Sequence, residues 1–194
     1  MNTEALTFWS NRYANKETGW DIGYPSPQLL EYALQNIPKT ASILIPGAGN
    51  AYEAEALWQE GYENITVLDI AREPLENLSK RIDPDSRIHL VQFDFFKWQG
   101  AFDFILEQTF FCAIPISRRK EYASKMHQLL KKNGRLAGLL FDKPFEKEGP
   151  PFGGTKEEYF TYFSAYFQIL NMDPCTNSIP KRAGNELFFE LKKI

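Results

Sequence analysis

The sequence predicts an α/β fold with a mostly parallel β-sheet that is covered by helices on both faces. Short apolar runs alternate along the chain with longer stretches of helical periodicity. The runs at 102–106 and 135–141 lack the polar–apolar alternation of a half-buried strand, so we expect strands that are buried on both faces. Two glycines one residue apart, Gly47 and Gly49, follow another such run and indicate a strand-to-helix turn.

The chain is predicted to begin with a helical extension. Apolar residues at helical spacing predict a helix over 3–15, and glycines and prolines predict a loop over 15–27. Ser26 is a candidate cap for the next helix, 27–36, which Pro38 ends.

The core is predicted to continue as alternating strands and helices. Apolar and β-branched runs predict strands at 42–46, 65–69, 87–92, 102–106, 135–141 and 167–171, and residues 185–194 predict a seventh, antiparallel strand. Helical spacing predicts helices at 51–60, 72–82, 117–132 and 155–166, with stop signals at Gly61 and at Asn133-Gly134. A loop rich in proline and glycine, 142–154, leaves the sheet at the edge where ligands bind. We expect one domain over 1–194, with an aromatic extension at 1–27 and an α/β core at 28–194.

The composition is that of an ordinary globular protein, with 43% hydrophobic and 24% charged residues. The net charge of −3 and the lack of a basic cluster make a nucleic-acid partner unexpected. Cys112 and Cys175 are too few for a disulfide framework and suit a reducing compartment. No secretory signal opens the sequence and no apolar run reaches membrane-spanning length, so we expect a cytoplasmic protein without a membrane partner. We expect it to be a monomer or a weak homo-oligomer.

The glycine turn and an acid at a strand end predict a nucleotide-like cofactor. Gly47 and Gly49 let the backbone approach a ligand, and the N–H groups of the following helix point at its polar part. Asp69 ends the next apolar run, 20 residues after Gly49, where a carboxylate can hold a ribose diol. The alternative is a structural turn without a ligand, in which Asp69 only caps the helix at 72.

Tyr52 discriminates among cofactors of this kind. It stands where the dinucleotide fingerprint has a third glycine for packing beside a pyrophosphate, which favours a ligand with a ribose but no pyrophosphate. S-adenosylmethionine fits that description. The alternatives are an NAD-type oxidoreductase, a non-catalytic S-adenosylmethionine-binding module, and a methyltransferase that acts on RNA, protein or another small molecule.

The extension carries more aromatic residues than a connector needs, among them Trp9, Tyr13 and Trp20. These rings either dock the extension on the domain or form a lid over a sulfonium cation, which they attract by cation–π interaction and shield from water. The two interpretations are compatible, because a lid must also pack.

Further candidate residues follow other strands. Asp94 and Phe95 come after the third strand, where they could bind an adenine; a solvated loop acid is the alternative for Asp94. Glu107 and Gln108 follow the fourth strand, at the mouth where a methyl group would be passed, in positioning roles. Glu107 is also the nearest carboxylate that could accept a proton from a neutral thiol.

Other polar residues are given structural roles. His89 and His127 belong to no metal-ligand spacing, so no metal is expected. Cys112 has no basic neighbour in the sequence and is not expected to be a nucleophile. Lys181 and Arg182 could pair with an anionic substrate, although charges in a tail are usually solvated.

Taken together, these residues resemble the thiopurine S-methyltransferase family, and most of all its halide/thiol methyltransferase branch. The motifs that carry the resemblance are Trp9-x3-Tyr13-x6-Trp20-Asp21-x-Gly23, Ile45-Pro46-Gly47-Ala48-Gly49, Leu68-Asp69-Ile70, Asp94-Phe95-Phe96-x-Trp98, Phe102-Asp103-x3-Glu107-x-Thr109-Phe110-Phe111-Cys112-Ala113-Ile114, Leu129-Leu130-Lys131-x2-Gly134, Gly149-Pro150-Pro151-Phe152 and Ile179-Pro180-x-Arg182. The resemblance covers nearly the whole chain and implies a class I, Rossmann-like methyltransferase fold. It implies transfer of a methyl group from S-adenosylmethionine, by in-line displacement, to a thiol, hydrosulfide, halide or thiopurine.

The resemblance also implies roles for the candidate residues. Trp9, Tyr13 and Trp20 would lie over the cofactor, Gly47 near its methionine tail, Asp69 on the ribose, Asp94 and Phe95 beside the adenine, and Gln108 near the point of methyl transfer. The chain departs from the plant halide/thiol enzymes at two positions, since Tyr13 and Gln108 stand where those enzymes usually carry Trp and Tyr. The second exchange replaces an aromatic hydroxyl near the substrate by an amide and leaves halide preference open.

Overall fold

A computed structural model describes residues 2–146 and 148–194 and contains one seven-stranded sheet. The strands are β1 (Ser42–Pro46), β2 (Asn64–Asp69), β3 (His89–Gln92), β4 (Phe102–Gln108), β5 (Leu130–Phe141), β6 (Phe167–Pro174) and β7 (Glu186–Lys193). Their order across the sheet is β3-β2-β1-β4-β5-β7-β6. Strands β1 to β5 pair in parallel, and β7 runs antiparallel between β5 and β6. The predicted mostly parallel sheet with an antiparallel C-terminal strand is confirmed.

Six α-helices overlap the six predicted ones. They are α1 (Thr3–Ala14), α2 (Pro27–Asn36), α3 (Tyr52–Gln59), α4 (Glu73–Ser79), α5 (Arg119–Leu129) and α6 (Lys156–Phe163). The side chain of Asn2 caps α1, but Ser26, the predicted cap of α2, makes no capping hydrogen bond. Its hydroxyl instead donates to Gln28 Oε1 at 2.7 Å. Across residues 2–146 and 148–194, no helix is long and apolar enough to cross a membrane.

Two apolar clusters lie on opposite faces of the sheet. Successive residues of β1 alternate between them: Leu44 belongs to one cluster and Ile43 and Ile45 to the other. The first cluster also contains Tyr122 of α5, Phe163 of α6 and their apolar neighbours. The second contains buried residues of α2, α3 and α4, among them Leu29, Leu57 and Leu75. Helices therefore cover both faces, as the unbroken apolar runs predicted.

The fourth and fifth strands are longer than predicted. Strand β4 continues to Gln108, because Glu107 and Gln108 pair with Gly138 and Leu139 of β5. Strand β5 begins at Leu130, whereas the sequence predicted a helix as far as 132. Leu130 pairs with Phe102 of β4, and this pairing ends the helix before the predicted stop signal. Strand β1 and helix α2 match their predicted limits, and the remaining predicted elements differ from the observed ones by a few residues at one or both ends.

The loop that follows β5 is held beside the carboxyl end of the sheet. This predicted loop, 142–154, includes Lys147, which lies outside the described residues, as does Met1. The buried guanidinium of Arg119 donates to the carbonyl oxygens of Phe152 and Gly153, both at 2.9 Å. The backbone N–H of Phe152 donates to the carbonyl of Cys112 at 2.7 Å. These bonds fix the end of the loop next to the segment after β4.

Candidate active site

A cavity of about 550 Å³ opens where β1, β2 and β4 end. Its wall is formed by the strand ends, the segments that follow them, the N-terminal extension and part of the 142–154 loop. All nine residues that were predicted to bind a cofactor line it: Trp9, Tyr13, Trp20, Gly47, Gly49, Asp69, Asp94, Phe95 and Gln108. The structure thus brings together residues that are spread over half of the sequence.

The turn between β1 and α3 requires its glycines. Gly47 and Gly49 have φ angles of +54° and +55°, which favour glycine. A Cβ atom on Gly47 would lie 2.0 Å from Cδ2 of Phe110. The alanine that precedes α3, Ala51, also has a left-handed conformation, with φ of 50°. The backbone therefore turns sharply at the cavity wall.

The carboxylate of Asp69 lies at the end of β2, beside this turn. Oδ2 accepts the backbone N–H of Gly49 at 3.1 Å, and Oδ1 accepts that of Ala71 at 2.8 Å. The residue is 8% exposed, and burial raises its pKa to about 6, although the backbone N–H groups oppose the shift. Each oxygen can accept one more hydrogen bond, so the pair is suited to a diol.

Asp94 is a buried carboxylate that joins two segments. Oδ1 accepts the N–H of Phe96 and so caps a short 3-10 turn over Phe95–Lys97, while Oδ2 accepts the N–H of Asn2. Both distances are 3.1 Å, and the residue is 5% exposed, which contradicts the alternative of a solvated loop acid. The ring of Phe95 packs edge-on against Phe110, with centroids 5.0 Å apart, and is therefore part core and part cavity wall.

The aromatic residues of the extension pack on one another and on the glycine turn. The ring of Trp20 meets Trp9 edge-on at 5.4 Å and Tyr13 at 5.7 Å. A Cβ atom on Gly49 would lie 3.4 Å from Oη of Tyr13 and 3.7 Å from Nε1 of Trp20. The three rings thus dock the extension on the domain, and they also line the cavity. We call residues 2–26 the aromatic lid.

Hydrogen bonds connect the aromatic lid to the start of α3 and to Arg182. Oδ2 of Asp21 accepts hydrogen bonds from Nδ2 of Asn50 and, at 3.4 Å, from the hydroxyl of Tyr52. The guanidinium of Arg182 donates to the carbonyl of Trp20 at 3.0 Å. Tyr52, which replaces the third glycine of a dinucleotide turn, therefore contacts the lid.

Glu107 is the predicted site residue that does not line the cavity. Successive residues of a strand point to opposite faces, so Gln108 faces the cavity and Glu107 faces the core. Its Oε1 accepts the N–H groups of Phe110 at 2.7 Å and Phe111 at 2.9 Å. The residue is fully buried, and burial raises its pKa to about 7. The expectation of Glu107 at the mouth of the cavity is corrected: it holds the loop behind Gln108 and touches no open space.

Gln108 instead connects two charged residues, Glu53 and Arg182, which were not among the residues predicted to bind the cofactor or to act in catalysis. With its amide oriented to satisfy both neighbours, its nitrogen donates to Oε1 of Glu53 and its oxygen accepts from Nη1 of Arg182, both at 3.1 Å. Arg182 also contacts Glu186 at 3.4 Å. Glu53, Gln108 and Arg182 all line the cavity, and we call them the polar triad.

Sequence reasoning did not place Glu53 and Arg182 in the site, for different reasons. Glu53 looks like any acid in the first turn of a helix, and no signal in the sequence distinguishes it. Arg182 belongs to the motif Ile179-Pro180-x-Arg182 and was named as a possible partner of an anionic substrate, but a solvated tail charge was the alternative. The structure contradicts the solvated alternative, since Arg182 is buried beside Glu186.

Cys112 lines the cavity as a thiol. Its Sγ donates to the carbonyl of Thr109 at 3.1 Å, and burial raises the pKa of the thiol, so it does not ionise near neutral pH. Both Cys112 and Cys175 are unpaired. In the part of the chain that the structure describes, no three His, Cys, Asp or Glu side chains form a group that could hold a metal ion.

Comparisons with known proteins agree on one family. A family model described as thiopurine S-methyltransferase matches residues 4–187. A protein of Arabidopsis thaliana named probable thiol methyltransferase 2 is 30% identical over 164 residues, which cover 82% of this chain and 72% of that protein. Thiocyanate methyltransferase 1 of the same plant is 27% identical over 96% of this chain and 84% of its own length. Thiopurine S-methyltransferase of Vibrio campbellii is 27% identical over 93% of this chain and 92% of its own length.

Solved structures share the fold. A Burkholderia thailandensis 1,6-didemethyltoxoflavin-N1-methyltransferase, solved with S-adenosylhomocysteine, superposes with a TM-score of 0.79 over 97% of this chain and 86% of that chain, at 17% identity. A TehB-like S-adenosylmethionine-dependent methyltransferase from Corynebacterium glutamicum superposes with a TM-score of 0.70 over the full length of both chains, at 16% identity.

Proposed function

Because the chain belongs to the thiopurine S-methyltransferase family, we propose that it methylates a small soft nucleophile, and a thiol or hydrosulfide in preference to a halide. Membership makes the protein an S-adenosylmethionine-dependent methyltransferase of class I fold that acts on small molecules. It also rules out the NAD-type oxidoreductase considered for the sequence. The observation that carries the proposal is that the aromatic lid and the polar triad line the same cavity.

The residues of the cavity fit S-adenosylmethionine. The two free acceptor positions of Asp69 suit the ribose hydroxyls, and Asp94 and Phe95 offer a carboxylate and a ring edge for the adenine. Gly47 lines the cavity and has no space for a side chain beside Phe110, so the methionine tail would meet only its backbone there. Trp9, Tyr13 and Trp20 would cover the sulfonium by cation–π interaction.

The cofactor supplies a methyl group on a sulfonium that is already activated, so the protein has to align the nucleophile and exclude water. The lid contacts with the glycine turn and with Arg182 would keep water from the reacting atoms. The positive charge of Arg182 at the cavity wall favours an acceptor that arrives as an anion. Gln108, held between Glu53 and Arg182, would position that acceptor.

Two observations support a thiol over a halide. The relatives described above include enzymes named for thiols, thiopurines and thiocyanate. At Gln108, where the resemblance implies an aromatic hydroxyl in the plant enzymes, this chain has an amide whose two ends already bond Glu53 and Arg182. That amide offers a halide no free hydroxyl donor.

The test is to incubate the protein with S-adenosylmethionine and, separately, with iodide, hydrosulfide or an aromatic thiol. Methylated products are measured by headspace gas chromatography for the volatile ones and liquid chromatography for the aromatic one, with S-adenosylhomocysteine quantified in the same tubes. We expect methylated sulfur acceptors and little methyl iodide. Comparable methyl iodide would overturn the preference for sulfur. Cofactor binding without S-adenosylhomocysteine formation would favour a non-catalytic binding module or a macromolecular substrate.

We also propose that the protein works in the cytoplasm as a monomer or weak homo-oligomer, without nucleic acid. The unpaired thiols of Cys112 and Cys175 support a reducing compartment, and the net charge of −3 opposes binding to a phosphate backbone. Light scattering coupled to size-exclusion chromatography tests the oligomeric state, and a stable dimer would contradict it.

A further inference from the structure

Glu53 is a buried carboxylate that opens to the cavity. It lies in the first turn of α3, is 8% exposed and lines the cavity. Its Oε1 accepts the N–H of Ser26 at 2.8 Å and the amide N–H of Gln108 at 3.1 Å. Both of these hydrogen bonds use Oε1, and within residues 2–146 and 148–194 no other residue donates a hydrogen bond to Oε2. The carboxylate is therefore fixed through one oxygen and has the other available for a ligand.

The three acids that the sequence predicted for the site are not placed for proton transfer to an acceptor. Glu107, the carboxylate that the sequence suggested, points into the core. Asp69 and Asp94 bind backbone N–H groups around the parts of the cavity proposed for the ribose and the adenine. Among these four acids, Glu53 is the one whose carboxylate bonds the side chain of Gln108, the residue proposed to position the acceptor.

We propose that Glu53 is the catalytic proton acceptor for substrates that enter the cavity as neutral thiols. The S–H bond breaks and its proton passes to Oε2 of Glu53. The sulfur lone pair forms the new bond to the methyl carbon, and the pair of the broken carbon–sulfonium bond stays on the departing thioether. The products are a methyl thioether, S-adenosylhomocysteine and the protonated carboxyl group, which returns its proton to water when the site opens. This inference rests on the proposed thiol methylation.

The surroundings suit a carboxylate in this role. The charged groups that face Glu53 are Arg182, across the amide of Gln108, and Asp21, in the aromatic lid. Burial raises the pKa of Glu53, and the charge of Asp21 acts in the same direction. The backbone N–H groups of Ser26 and of Glu53 itself oppose this shift, as does the charge of Arg182. A carboxylate with a raised pKa is closer to the pKa of a thiol and is a better base for it.

The test compares two thiols in the wild-type protein and in E53Q. One is an alkyl thiol, which is neutral at the assay pH, and the other is an electron-poor aromatic thiol, which is already a thiolate. The amide oxygen of E53Q can still accept from Ser26 and Gln108, but it takes up no proton. We expect kcat/KM for the alkyl thiol to fall by about 100-fold and that for the aromatic thiolate to change by less than about threefold. E60Q, which makes the same charge change at an exposed position at the end of α3, is the control.

Two results would overturn the proposal. Equal losses with both thiols, together with weaker S-adenosylhomocysteine binding by calorimetry, would show that Glu53 holds the cofactor tail instead. Unchanged activity of E53Q on the alkyl thiol would show that no base is needed there. Failure of the wild-type protein to methylate either thiol would contradict the proposed function itself, and the two failures are therefore distinguishable.

Discussion

Asp69 is buried at the cavity wall, and its ionisation state therefore depends on pH in the mildly acidic range. Its pKa is raised to about 6 by burial, so the ligand-free site takes up a proton at mildly acidic pH. An ionised carboxylate accepts two hydroxyl hydrogen bonds, whereas a protonated one accepts fewer. We expect S-adenosylhomocysteine affinity to fall as the pH is lowered through about 6. Calorimetry between pH 5 and 8 measures this, and D69N should bind weakly with a flat profile. A wild-type profile equally flat would show that Asp69 does not hold the ribose.

Glu107 affects folding stability rather than the reaction. Its pKa is raised from 4.5 in the unfolded chain to about 7 in the folded one, so folding favours the protonated form. The stabilisation is complete below pH 4.5 and is lost as the pH rises through about 7. E107Q keeps an oxygen for the N–H groups of Phe110 and Phe111 but does not titrate. Between pH 5 and 8, thermal unfolding should therefore depend less on pH in E107Q than in the wild-type protein. Parallel curves would contradict this account.

At the level of single residues, the sequence predicted the cavity residues of the glycine turn and the β2 end better than those of the polar triad. Gly47, Gly49 and Asp69 follow from a local pattern, because a strand, a turn and a helix of adjacent sequence place them. The polar triad does not, since Glu53, Gln108 and Arg182 meet only through the tertiary fold. Glu107 and Gln108 are neighbours in sequence, and only the extended pairing of β4 decides which of them faces the cavity.

Among the elements, the aromatic lid either covers the sulfonium of the cofactor or only packs on the domain. The affinities for S-adenosylmethionine and S-adenosylhomocysteine distinguish these two functions. If Trp20 covers a sulfonium, its removal weakens binding of S-adenosylmethionine, which is cationic there, more than binding of S-adenosylhomocysteine, which is not. A cation–π contribution of about 1 kcal/mol corresponds to a roughly fivefold difference. We expect W20A to show that difference and W20F to restore most of it. Equal losses for both ligands would mean that the ring only packs the extension, since it contacts Trp9 and Tyr13 in either case.

The strands and helices themselves were predictable wherever local pattern and tertiary pairing agree. Strand β1 and helix α2 match their predicted limits, because turns and prolines bound them on both sides. The junction of α5 and β5 does not, because the signal at Asn133-Gly134 lies inside the strand that pairing with β4 creates. Asn133 has φ of 63° there, so the residues that were taken to stop a helix instead bend a strand.

At the scale of the whole molecule, the N-terminal extension and the strand ends line the same cavity. A ligand bound there should therefore stabilise the extension and the sheet at the same time. Asp94 binds the backbone of Asn2, and Arg182 binds that of Trp20, which ties the lid to segments far away in sequence. A ligand at 100 times its Kd stabilises the folded state by about 2.7 kcal/mol, which for a chain of this size raises Tm by roughly 5–10 °C. We expect S-adenosylhomocysteine to give such a shift and NAD to give none.

Hydrogen exchange should then show where that stabilisation acts. If lid and core close on one ligand, saturating S-adenosylhomocysteine will slow exchange in α1, in the turn at Gly47 and Gly49 and in the 3-10 turn after Asp94 by similar factors. The amides of β6, at the far edge of the sheet, serve as the internal control, because that strand does not line the cavity. Protection of the core turns without α1 would show that the lid closes independently, and the contact between Asp94 and Asn2 would then not couple it to cofactor binding.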